Sequence, residues 1–148
     1  MNINTHQYVL FKLDNEYYGL NIHEVRTIER VSDITRVPNA QDYVEGVINL
    51  RGDVVPVINL RKRFSLPQID LDEDARIMIV SVEDMTVGLL VDSSSEVLQL
   101  SAEDIDTSAN FSSNIENDYV IGIGKDGDRI IILLDLKKVL FISQSENG

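Results

Sequence analysis

Cysteine and tryptophan are both missing from the 148 residues, and histidine occurs only as His6 and His23. Without cysteine there is no disulfide framework, no thiolate metal ligand and no thiol nucleophile. A zinc centre built on two isolated histidines would need carboxylates to complete it, and neither H-E-x-x-H nor H-x-x-E-H spacing occurs. No apolar run is long enough to span a bilayer, and the start, MNINTHQYVLFKLDNEYY, lacks the basic residues and apolar stretch of a secretory signal. A soluble, cytoplasmic protein with no direct membrane insertion is expected, in which the sequon Asn110-Phe111-Ser112 is incidental.

Basic residues are also scarce, and unevenly so. Thirteen Lys and Arg face twenty-five Asp and Glu, a net charge of −12. Residues 1–66 carry eight of each sign, whereas residues 67–148 carry five basic and seventeen acidic side chains, so the second half holds the whole imbalance. An acidic half repels phosphate backbones. Five tyrosines and four phenylalanines, mostly on apolar faces, provide no stacking platform for single strands either. Nucleic-acid binding is therefore disfavoured. The asymmetry serves solubility, or it lets the two halves face different partners.

Motifs for chemistry fail in turn. Asp70, Asp72 and Asp74 imitate the start of a calcium loop, but Ala75 and Ser81 occupy the positions that need glycine and glutamate. Gly122-Ile123-Gly124-Lys125 has no helix after it and is explained by a hairpin. Asp106-Thr107-Ser108 resembles half of an aspartic-protease pair without a second carboxylate to share the proton. Ser93 to Ser95 have no base nearby. No catalytic residue, metal or cofactor is expected.

What the sequence does contain is a repeat. Tyr43 to Phe64, YVEGVINLRGDVVPVINLRKRF, returns at an offset of 76 as Tyr119 to Leu140, YVIGIGKDGDRIIILLDLKKVL. Upstream, Gln7 to Ile22 is echoed at an offset of 69 by Arg76 to Val91, with Gly19 matched to Gly88. Each copy reads as short strands joined by hairpins. Tyr8 to Leu13 and Tyr17 to Leu20 flank Asp14-Asn15-Glu16, a third strand runs over Arg26 to Val31, and Val47 to Leu50 and Val54 to Ile58 flank Arg51-Gly52-Asp53. Asn21 and Asn59 open short helical turns, Ser101 with Asp104 is a capping pair before a polar stretch over Ala102 to Asp118, and Asp135 caps Leu136 to Phe141. Ten strands, five per copy, predict an all-β fold of two small barrels, since closure removes exposed edges. Pro56 lacks an N–H, which predicts an edge or bulge for its strand. The acidic run Asp70 to Asp74 is expected as an extended link.

With no enzyme chemistry in view, a surface for protein partners is the natural reading. Arg51 stands at the tip of a hairpin whose Gly46 and Gly52 allow close backbone approach, and the β-branched Val25 and Val54 beside it would form a partner patch.

EGVINLRGDVVPVINLRKRF, preceded by Thr35-Arg36-Val37-Pro38, resembles the signature of the CheW family of bacterial chemotaxis coupling proteins. QYVLFKLDNEYYGLNIHEV, VGLLVDSSSEV and YVIGIGKDGDRIIILLDLKKVL match the same family, so the likeness covers about residues 7–141. It implies one domain of two intertwined, five-stranded, SH3-like barrels, with subdomains at about 14–68 and 69–135, possible exchange of the N-terminal strand, and flexible ends at 1–6 and 142–148. It further implies a non-enzymatic adaptor coupling chemoreceptor cytoplasmic tips to the CheA histidine kinase, recruited to membrane receptor arrays. Arg51, with Gly52, falls on the family's NLRG coupling arginine; Val25, Thr27 and Ile28 fall on the first-barrel contact segment; Arg76 and Gly88 flank the expected receptor-helix groove. Thr27, Gln41, Asn59, Ser94 and Thr107-Ser108 depart from residues frequent in the family. An adaptor of a related pilus-motility pathway and a small ligand-binding barrel are the alternatives.

Overall fold

The computed structural model describes residues 5–107 and 119–140. Eleven strands are present: β1 (Thr5–Leu13), β2 (Glu16–Asn21), β3 (Val25–Arg30), β4 (Val44–Leu50), β5 (Asp53–Asn59), β6 (Arg76–Val82), β7 (Met85–Val91), β8 (Ser93–Ser101), β9 (Ile105–Asp106), β10 (Val120–Asp126) and β11 (Arg129–Leu134). One short helix, α1 (Leu60–Arg63), follows β5, and residues 136–140 form its counterpart after β11. Ten of the strands are those expected; the two-residue β9 is additional. Of the ends expected at 1–6 and 142–148, residues 5 and 6 already belong to β1, and the rest lie outside the described residues, as do Asn110-Phe111-Ser112 and Ser108.

The strands form two sheets, ordered β8-β1-β2-β11-β10-β9 and β3-β6-β7-β5-β4. The all-β, intertwined architecture holds, with six strands in one sheet and five in the other. Each sheet takes its first hairpin from one copy of the repeat and its remaining strands from the other. The division expected between 14–68 and 69–135 therefore marks the repeat and not the sheets. Two parallel ladders join the copies: Val57 pairs with Gly88 between β5 and β7, and Leu133 with Gly19 between β11 and β2. These are the same positions under the offsets of 76 and 69. Symmetry extends to single hydrogen bonds. The Asn59 amide donates to the Tyr43 carbonyl at 2.7 Å, and the Asp135 amide to that of Tyr119 at 2.8 Å. Each sheet also curls so that the chain leaving one edge returns to the other: Thr35, after β3, bridges Val47 of β4, and Asp106 pairs with Ile123 of β10.

Strands apolar on both faces find cover on both. Val9, Phe11 and Leu13 of β1, with Met78, Val80 and Leu89, enter a large core between the sheets. Tyr8 and Leu10, on the alternate face, pack inside the curl of their own sheet with Leu100, Ile131 and Leu133. Ile48, Val55, Val57, Ile77, Ile79 and Leu90 fill the other curl.

Pro56 corrects one expectation. Its strand, β5, is interior, between β7 and β4. The parallel ladder to β7 begins only at Val57, however, so Pro56 stands where β5 has β4 on one side and no ladder on the other. A residue without an N–H fits there. The expected caps are present: the Asn21, Asn59 and Asp135 side chains accept from the amides of His23, Lys62 and Lys138.

Candidate functional site

The β4–β5 hairpin closes through two residues, Arg51 and Gly52, with φ of +52° and +93°. Positive φ at both positions is the signature of a type I′ turn, whose twist matches the flanking strands. The Gly52 amide donates to Asn49 Oδ1 at 2.9 Å, fixing the turn from within. Arg51 is thereby presented outward, its side chain 70% exposed, with Nη2 at 3.5 Å from Glu29 Oε2 on β3. A pair that long and that exposed contributes little to stability. The guanidinium is steered toward β3 and remains available.

Between this tip, β3 and the β6–β7 hairpin lies an open concavity of about 480 Å³, rimmed by Arg26, Thr27, Arg51, Val54, Asp84 and Thr86 over the buried Ile79 and Val55. Val54 is 72% exposed, the highest among the exposed large apolar residues described. Thr27, opposite Ile79, faces this hollow. An exposed aliphatic side chain thus lies beside an arginine, with acidic and basic groups on the rim. Arg26 also donates to Ser81 Oγ at 3.4 Å.

The structure thus gathers Thr27, Arg51, Gly52 and Val54 at one surface. The other expected residues lie elsewhere. Val25 is half-buried and packs on the core between the sheets. Ile28, opposite Met78, is on the other face of β3 and is exposed. Arg76 is at the far end of β6, where Nη1 donates to the carbonyls of Glu73 and Ala75 at 2.8 Å each. Gly88 is buried in the sheet, and a Cβ there would come within 2.7 Å of Ile77 Cγ2, so it serves close packing. Arg26, Asp84 and Thr86 were missing from the expected set. Asp84 and Thr86 reach the site through the β3–β6 and β5–β7 pairings between copies, for which no local pattern speaks.

A second cluster sits where the sheets meet. Arg61 of α1 is 5% exposed. Its Nε and Nη2 donate to the two carboxylate oxygens of Asp92 at 2.9 and 2.7 Å, Nη1 donates to the Pro67 carbonyl at 2.5 Å, and Asp14 Oδ1 lies 3.5 Å away. Burial alone would raise the Asp92 pKa. The hydrogen bonds from Arg61 and from the Asp14 amide outweigh it and hold the carboxyl below its ordinary value. A hollow of about 370 Å³ adjoins the cluster, lined in part by Lys12, Ile69, Leu71 and Asp74. Bidentate, buried pairing of this kind fixes geometry between elements. Among the described residues, no group of three or more His, Asp or Glu could hold a metal ion.

Comparison with known proteins places this geometry in a family. The model of the CheW-like domain matches residues 7–142. The chain is 37% identical over 134 residues to the chemotaxis protein CheW of Klebsiella aerogenes, covering 90% of this chain and 81% of that one. It is 34% identical over 145 residues to the chemotaxis protein CheW of Treponema pallidum, covering 94% and 85%. The crystal structure of the scaffolding protein TtCheW from Thermoanaerobacter tengcongensis superposes with a TM-score of 0.82 at 34% identity, over 93% of this chain and 91% of that one.

Proposed function

This chain belongs to the CheW family, and from that premise we propose that it is a non-enzymatic chemotaxis adaptor of the cytoplasm, joining chemoreceptor tips to a CheA-type histidine kinase. The observation that carries the reading is the open hollow at the first hairpin, with Arg51 and Val54 exposed beside it. The kinase's regulatory domain is the partner assigned to this face, with Arg51 donating from a fixed fork and Val54 supplying buried apolar area once the partner is seated. The receptor's helical tip is the second partner. It uses helix-in-groove recognition between the two barrel units.

Coupling needs no bond making. The receptor's two signalling states shift the kinase only as far as they differ in affinity for, or orientation of, the adaptor. Modest contacts gain strength from effective concentration in a membrane-associated array.

The test is Arg51→Ala together with Val54→Asp, each in the folded chain. Arg51→Ala is expected to weaken binding of the kinase regulatory domain by about 2 kcal/mol with an unchanged melting temperature, because the residue lies in a turn. Calorimetric titration reads both variants. Undiminished binding by Val54→Asp removes the proposed face.

A further inference from the structure

Arg51 holds a backbone conformation that its own side chain disfavours. At φ +52° it enters the left-handed region, where a Cβ crowds the carbonyl that follows. The first central position of a type I′ turn ordinarily takes asparagine, aspartate or glycine, not arginine. The second copy shows the less strained solution: the offset of 76 carries Arg51 onto Gly127, which opens its two-residue turn at φ +61°. Arg51-Gly52 also has a competing arrangement. In a three-residue loop over Leu50, Arg51 and Gly52, the glycine alone takes the left-handed position and the arginine relaxes to negative φ. That loop would draw the Gly52 amide toward the backbone carbonyl of Asn49, shift the hairpin end and aim the guanidinium elsewhere.

One side chain opposes that relaxation. The ladder between β4 and β5 ends at the pair Leu50–Asp53, and the Gly52 amide beyond it donates to Asn49 Oδ1 at 2.9 Å. With the amide satisfied by the side chain, nothing drives it toward the backbone carbonyl, and Arg51 is tethered on both sides. Asn49 is otherwise out of place, since asparagine is depleted in strands and this one is exposed. Its counterpart in the second copy is Lys125, whose ammonium cannot accept a hydrogen bond. Asparagine and arginine thus occur together in the first hairpin, and both are replaced in the second. We propose that Asn49 is a positioning residue for partner binding, acting through Arg51: its Oδ1 holds the two-residue turn and so aims the guanidinium across the Thr27–Val54 face. The inference rests on that face being a partner site, and is independent of what other faces of the molecule engage.

The experiment titrates the full-length chain with the purified regulatory domain of the CheA-type kinase by calorimetry, with circular dichroism to follow the fold. Asn49→Ala is expected to keep the spectrum and to raise Kd about fivefold, the factor that corresponds to one hydrogen bond of ordinary net strength. Asn49→Asp keeps an acceptor at the same reach, loses the amide donor and should restore binding. Asn49→Gln keeps both groups on a longer arm and should not. In a chain already carrying Arg51→Ala, Asn49→Ala should have no further effect, because no guanidinium is left to aim. Asn49 lies opposite Val54 in register, so direct contact with the partner is the competing explanation. An equal loss in both backgrounds, or rescue by Gln and not by Asp, means that Asn49 touches the partner itself and overturns the inference. Unchanged affinity for Asn49→Ala beside weakened binding by Arg51→Ala overturns it as well, and leaves the face standing. Undiminished binding by Arg51→Ala overturns both the inference and the role of Arg51 on which it rests. Should Asn49→Ala fail to fold, the Asp and Gln variants carry the same comparison.

Discussion

Arg61 and Lys137 occupy the same position in the two copies, 76 residues apart, yet their environments differ sharply. Lys137 pairs with Glu83 at 2.8 Å, but both side chains are more than 60% exposed. Arg61 makes its bonds to Asp92 and Pro67 while almost wholly buried. Arg61→Ala leaves Asp92 without its partner and should cost about 3 kcal/mol of stability, read from urea unfolding. Lys137→Ala should leave the unfolding curve unchanged, since exposed pairs are screened and entropically costly. Val25→Asp belongs with stability as well, because Val25 packs on the core between the sheets. At this scale the sequence made Arg51 legible, since a turn tip must be exposed. It did not distinguish Arg61 among the consecutive cations Arg61, Lys62 and Arg63, because burial there depends on Asp92, 31 residues away.

Hairpins, caps and faces were legible in the elements because each is a local property. The turns at Arg51-Gly52 and Gly127-Asp128 and the two apolar faces of β1 follow from spacing alone. Strand order was not legible, which is why Pro56 suggested an edge. Gly88 sits in β7 against β5, and Gly88→Ala should destabilise by about 2 kcal/mol, since the new methyl meets Ile77 Cγ2 at 2.7 Å in a packed strand. A chemical melt reads that loss. The strand β8 and the turn before it also set the acid response. Hydrogen bonds from Arg129 hold Glu96 below its ordinary value, and those on Asp92, outweighing its burial, do the same. A depressed carboxyl contributes stability in full above the unfolded value, about pH 4, and loses it as pH falls through the folded value. Stability should therefore decline below about pH 4, and Asp92→Asn should flatten that decline in a pH series of urea melts.

For the whole molecule, the repeat announced two similar units but not their exchange of hairpins. A repeat shows which strands resemble each other; the parallel ladders β5–β7 and β11–β2, which join the copies, leave no trace in local pattern. One consequence is testable by cutting the chain in the link before β6. Fragments 1–68 and 69–148 should each be largely unstructured, because neither contains all the strands of a sheet, and mixing should restore the β spectrum in circular dichroism. Folding of either fragment alone would show that the ladders between copies are dispensable.

The same exchange of hairpins bears on how the molecule is made. The sheet built from β3 to β7 has all its strands once residue 91 has been synthesised. The β1–β2 hairpin leaves the ribosome well before its sheet is complete and must wait about a hundred residues for β10 and β11, with Val9, Phe11 and Leu13 lacking part of their eventual cover. Translation therefore holds an apolar hairpin short of its partners while the other sheet already has its strands, and a growing chain at that stage is more prone to aggregate than the finished fold.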